Sequence, residues 1–200
     1  MTDLRDSKYY DEQTFKGLRQ PEVTLSEVQF HNCTFTDCVL RESTFERCNF
    51  FDCVFDDCDL SLIKVPGCTF TQATFKTCKL LGVNWSEIDQ EGKFLKPFDF
   101  HECDLNYSTF IGMNLKEVAF NGCNAHDTDF AEADMTQCDC RKTDFSEARF
   151  LHTDLTRANF SKATNYRIVL EYNTLKGATF TLPEAVALLR DMGIHIADDE

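Results

Sequence analysis

The sequence predicts an all-β solenoid built from a five-residue unit, with a short C-terminal α-helix, and three observations carry that prediction. Phe30, Phe35, Leu40, Phe45, Phe50, Phe55 and Leu60 stand at an unbroken spacing of five. Neither the 3.6-residue period of a helix nor the two-residue period of a strand produces it. Two residues before each stands a small one: Val28, Cys33, Cys38, Ser43, Cys48, Cys53 and Cys58. Such a unit is a short strand segment that points two alternate side chains inward and then turns a corner, which resets the alternation. Finally, 24 Asp and Glu lie between Leu25 and Phe180, and none falls on either inward position. A buried, unpaired carboxylate is costly, so this pattern separates an apolar inside from an acidic outside.

Residues 1–24 are charged and weakly patterned and are expected to cap the open end of the solenoid, with Tyr9, Tyr10 and Phe15 as plugs. The pattern is unbroken over 25–85. Over 86–99 the small-x-large rule fails, and an irregular loop or break is expected there. The register returns at Phe100 and Leu105 and holds over 100–180; sixteen of the nineteen Phe of the chain lie on it. Residues 181–200 form the C-terminal element. Thr181-Leu182-Pro183-Glu184 reads as a capping box, and Gly193 suits the residue past a helix end. Apolar residues on more than one side, Val186, Leu188, Leu189 and Met192, continue into Ile194-His195-Ile196 and the acidic tail 198–200. This element is expected to cap the last coil and to join two copies as a homodimer; capping a monomer is the alternative.

A net charge of −14 argues against direct binding to nucleic acid or to an anionic membrane and favours a basic partner. The first residues show no signal-peptide pattern, and no run approaches eighteen uncharged apolar residues, so a cytoplasmic protein without a membrane span is expected. Ten of the eleven cysteines occupy the small inward position and Cys140 the large one. They are expected to be reduced, buried packing residues. With no CxxC pair and no inward His, no metal or other cofactor is expected. The histidines are scattered, no phosphate-cradling glycine loop exists, and a solenoid filled with side chains offers no pocket, so no enzyme is expected.

The repeat of Ala, Ser, Thr or Cys, then Asp or Asn, then Leu or Phe, then two polar residues resembles the pentapeptide-repeat proteins. The resemblance implies a right-handed quadrilateral β-helix with four pentapeptides per coil, at most eight coils from Leu25 to Phe180, and a rod about 38 Å long. Within that family the chain looks like the bacterial proteins, Qnr-like or microcin-immunity proteins among them, that protect DNA gyrase and topoisomerase IV by mimicking duplex DNA. Cys-rich early coils, a break near 80–85 and the ending Phe180-Thr181-Leu182-Pro183-Glu184-Ala185 carry that likeness. Asp59-Leu60-Ser61-Leu62-Ile63 and Gly82-Val83-Asn84-Trp85 are most similar to the albicidin-resistance type. The long protruding loops of some quinolone-resistance members are absent.

If residues twenty apart stack throughout, one face gathers Glu27, Glu46, Glu87, Asp104, Asp127, Asp144 and Glu147. The next gathers Asp52, Asp89, Glu91, Asp129, Glu132 and Glu171, and a third is balanced by Arg41, Lys79, Arg141, Lys142 and Lys162. The first two are the expected partner-binding faces. A binding module for some other basic protein, and a filament component, are the alternatives to topoisomerase protection.

Overall fold

The computed structural model describes residues 4, 5, 7–90, 96–190 and 194. Burial alternates as the five-residue unit requires. The large position and the small position two before it are buried in nearly every repeat, and the other three residues of the unit mostly are not. The chain climbs as a four-sided parallel solenoid. Each face is named here by one large residue: the Phe30, Phe35, Leu40 and Phe45 faces, in chain order. On the Phe35 face the ladder runs Phe15, Phe35, Phe55, Phe75, Phe100, Phe120, then through residues 140 and 160 to Phe180. Nine rungs bound eight turns. At about 4.8 Å per rung the rod is about 38 Å long.

Ring stacking runs along the axis. Phe15 through Phe120 are spaced at 4.8, 4.7, 4.8, 5.2 and 5.5 Å between centroids. A second stack, Tyr10, Phe30, Phe50 and Phe70, fills the Phe30 side of the first coils. In the later coils its place is taken on the Phe45 side by Trp85, Phe110, Phe130 and Phe150. Each contact adds on the order of 1 kcal/mol beyond the apolar area it buries.

The small position does more than leave room. Cys53 Sγ donates to the Phe30 carbonyl at 3.3 Å and Cys68 to Phe45 at 2.9 Å. Thr128 and Thr153 hydroxyls reach Leu105 and Phe130 at 3.0 and 2.9 Å. Each partner lies 23 residues back, so the side chain satisfies a buried carbonyl of the coil beneath, which is why Cys, Ser and Thr recur there. All eleven cysteines are free and buried. Burial pushes the Cys53 thiol up to about 12, which keeps its proton on as a donor.

Three expectations are corrected. The solenoid begins upstream of residue 25, because Tyr9–Asp11 already pairs in parallel with Gln29–His31, and Thr14–Lys16 with Thr34–Thr36. The break does not preserve coil phase: Phe75 pairs with Phe100, Lys79 with Asp104 and Asn84 with Thr109, steps of 25 instead of 20. One extra pentapeptide length is thus inserted between Gln90 and Phe100. Lastly, among the described residues the helix spans Val186–Arg190. The Thr181 hydroxyl accepts the Lys162 N–H at 2.8 Å and is spent on the coil beneath, so 182–185 is a turn and no capping box forms. Gly193 lies outside the described residues. No helix among the described residues is long and apolar enough to cross a membrane.

At the insertion two residues stand in for regular structure. Gln90 occupies a large inward position, but its side-chain amide donates to the Asn114 carbonyl at 2.9 Å and accepts the Asn114 N–H at 3.0 Å. It closes the ladder as a strand would. The apolar volume that Gln90 does not fill is taken by Phe98, fully buried on a small position opposite Ala73, with its ring 4.9 Å from Trp85 and 4.8 Å from Phe100.

Candidate partner-binding surface

The outward side chains fall into two chemical classes. In the first, the residue just before the large one is Asp or Asn, and its side chain accepts the main-chain N–H two residues on. Asp59, Asp104, Asp129, Asp144 and Asp154 do so at 3.2, 3.2, 2.9, 3.0 and 2.9 Å. These carboxylates close the turn that follows, as Asx turns. Asp144 also accepts from the Ser146 hydroxyl at 2.7 Å and from Asn165 at 2.9 Å. Burial alone would raise its pKa, but these hydrogen bonds outweigh it and hold the carboxyl below the usual carboxylate range. Asp139, held chiefly by Arg141, is lowered likewise.

A group with a depressed folded pKa stabilises above its unfolded pKa and loses that contribution as pH falls through the folded value. The contribution of Asp144 is therefore expected to fade below about pH 4. An Asp144→Asn chain keeps an acceptor for the turn, as Asn159 does for Ser161. Its melting temperature should fall less steeply between pH 5 and 2.5 than that of the parent, followed by circular dichroism.

The second class sits on the corners. Two residues after nearly every large one the backbone turns left-handed, and 24 non-glycine residues have positive φ, all at this position except Asn165. A left-handed L-residue costs roughly 1–2 kcal/mol, and glycine stands at only six such corners. Twelve corners instead carry a carboxylate, among them Glu27, Glu42, Asp52, Asp127, Glu132 and Glu147. A corner side chain projects furthest into solvent and is held by no turn.

The phase shift re-sorts the predicted surface. Glu27, Glu46 and Glu87 share the Phe45 face with Asp129, Glu132 and Glu171, whereas Asp104, Asp127, Asp144 and Glu147 lie on the Leu40 face. Asp52 and Asp89 lie on the Phe30 face, and Glu91 lies outside the described residues. The two expected faces are therefore not the real ones beyond residue 90. Nine of the ten residues singled out nevertheless fall on two faces that share an edge. Of these, Arg47 offsets Glu46 and Glu27 at 3.1 and 3.8 Å, Arg149 pairs with Asp129 at 3.1 Å, and His126 meets Asp127 at 2.9 Å. Glu132, Glu147 and Glu171 carry no ion pair among the described residues. The third face, beyond the insertion, divides into Asp99, Glu102 and Asp139 with Arg141, Lys142 and Lys162 on the Phe35 face. Sequence reasoning missed the corner rule, although every fifth residue from Glu12 on is enriched in acid and glycine.

At the C-terminal end Leu182, Leu189 and Ile194 are 79%, 39% and 45% exposed, while Val186 and Leu188 are half-buried. Met192 and Ile196 lie outside the described residues.

This architecture defines a class, the four-sided parallel β-solenoids with one pentapeptide per side. The Pentapeptide repeat region family matches residues 28–110, and the Pentapeptide repeats (8 copies) family matches 99–137 and 126–161. The chain belongs to the pentapeptide-repeat proteins. No curated protein matches its sequence. Among solved structures it is similar to trypsin-treated QnrB1, a plasmid-mediated fluoroquinolone resistance protein, at 16% identity over 94% of this chain and 100% of that one, TM-score 0.59. A second trypsin-treated QnrB1 gives 19% identity over 95% and 92%, TM-score 0.53. HetL, involved in heterocyst differentiation regulation in the cyanobacterium Nostoc, gives 14% identity over 87% of both chains, TM-score 0.61. Likeness at such identities establishes the fold.

Proposed function

We propose that the chain is a DNA-mimicking protein that binds DNA gyrase or topoisomerase IV and protects it from a topoisomerase poison of the albicidin or quinolone type. One observation carries this reading: the Phe45 face is bordered by carboxylate corners, Asp127 and Glu147 on its edge with the Leu40 face and Glu132 on its other edge, on a straight rod of roughly duplex breadth. A basic saddle shaped for duplex would meet fixed negative charge along one side, with steering toward it at low salt. The fold likeness to QnrB1 supports the same reading. The test is a supercoiling assay with purified gyrase, with albicidin or a quinolone present. Relief of inhibition at near-stoichiometric amounts of the protein is expected, and no relief against either poison would refute the reading.

A second reading, an acidic module for another basic protein, is favoured by the comparable likeness to HetL. Recovery of a different basic partner, with gyrase absent from the pull-down, would select it.

The reading includes a homodimer formed by the C-terminal element, since Leu182, Leu189 and Ile194 would otherwise leave apolar surface in water. Leu189→Asp is expected to convert a dimer of the parent chain to monomer in sedimentation velocity, with unchanged melting of the solenoid.

A further inference from the structure

The molecule is acidic, yet the C-terminal end of its Phe35 face is not. Over residues 119–122, 139–142, 159–162 and 179–182 that face holds one carboxylate, Asp139, against Arg141, Lys142 and Lys162. Arg141 and Asp139 are paired at 2.6 Å. Lys142 and Lys162 occupy successive corners, both at φ 62°, about 4.8 Å apart along the axis. The opposite corner carries Arg157, whose N–H donates to the carbonyl of Lys176 in the next coil at 2.9 Å. Lys142, Lys162, Arg157 and Lys176 are exposed, and none of these four has an ion-pair partner among the described residues.

This placement does not serve stability. The chain has 34 carboxylates for 20 Lys and Arg, so pairing every cation was open to it. Instead two lysines stack on each other, where like charges repel. Between the two basic corners lie Asn159, Ser161, Thr179 and Thr181, none of them aromatic or large aliphatic, and the one outward aliphatic residue of this face, Leu182, stands at its terminal corner. A protein interface is anchored by buried aromatic and apolar residues. Lys and Arg flanking Ser, Thr and Asn are the residue types that hold phosphate and sugar.

We propose that this end of the Phe35 face contacts the sugar–phosphate backbone of duplex nucleic acid. The net charge of −14 opposes approach of the whole molecule, but it is borne mainly by the other faces, and screening beyond about 10 Å leaves the local cations to decide the contact. Contact is without sequence preference, since no side chain here is placed to read base edges. It is independent of the topoisomerase reading, which uses the opposite charge on other faces.

The test is fluorescence anisotropy of a labelled 20-base-pair duplex titrated with the full chain. With about four phosphates neutralised, binding should weaken about 150-fold between 50 and 200 mM salt. Lys142→Gln with Lys162→Gln should roughly halve the slope of log affinity against log salt. Gln already occupies this kind of corner at Gln72 and Gln137, with φ 54° and 60°, so that variant keeps the fold. Glu132→Gln with Glu147→Gln should leave the slope unchanged. Three results would overturn the proposal: no duplex binding at 50 mM salt, binding indifferent to the lysine pair, or low-salt multimers of the chain that the lysine variant abolishes. The last would assign the patch to the acidic surface of a second copy.

Discussion

Phe98→Ala should destabilise the protein by about 3–5 kcal/mol, the usual cost of truncating a buried Phe. The reason is local. Regular coils fill their cross-section with four large residues, and the coil that crosses the insertion has only three on register, because Gln90 turns its amide to the Asn114 backbone. Phe98 supplies the fourth from a small position, enclosed by Phe70, Phe75, Trp85, Phe100 and Phe110 at 4.8 to 6.4 Å. No neighbour can collapse into its space, since those rings are held in stacks above and below. In a solenoid each coil contacts only its neighbours, so the loss acts at one interface and can uncouple the two halves. Urea unfolding followed by Trp85 fluorescence should show a lower midpoint, with Trp85 exposed before far-ultraviolet dichroism is lost. Coincident transitions shifted by less than 1 kcal/mol would contradict this role for Phe98.

Phe98 also marks where the sequence stops being legible. The inward positions can be read because misplacing a carboxylate there is so costly that the pattern is nearly free of exceptions. Coil phase cannot be read in the same way. Phe100 and Leu105 fall on multiples of five whether the turn through 86–99 contains 20 residues or 25, so the period is blind to which face they join. The register rule passes over Phe98 because it is off register, and reads Gln90 as a lapse because its function is performed by a side chain standing in for backbone. Thr181 misleads for a related reason: the pattern of a capping box was present, but the hydroxyl had a nearer N–H to satisfy, that of Lys162. Acidity was legible as an amount. Its distribution over faces required the phase.

That distribution decides which carboxylates can be reversed without damage, and so how the acidic surface is best tested. Asp104 and Asp144 are unsuitable, because each accepts a main-chain N–H that closes a turn; lysine there would remove the acceptor as well as the charge. Asp127, Glu132 and Glu147 stand on left-handed corners with φ 52°, 61° and 55°. The same kind of corner holds Arg47, Lys142, Arg157 and Lys162 with φ 50°, 62°, 58° and 62°, so lysine is compatible with the backbone. Asp127→Lys, Glu132→Lys and Glu147→Lys together should therefore fold with a melting temperature close to the parent's. Three rim charges at up to about 1 kcal/mol each would weaken binding to a basic saddle about 100-fold if removed. Reversal adds repulsion to that loss, which takes protection of gyrase below detection at amounts where the parent protects fully. Titration of supercoiling activity against a poison reads the loss directly. Undiminished protection by the folded triple variant would move the contact elsewhere on the rod, whereas loss accompanied by a broken dichroism spectrum would mean that these corners, too, are structural.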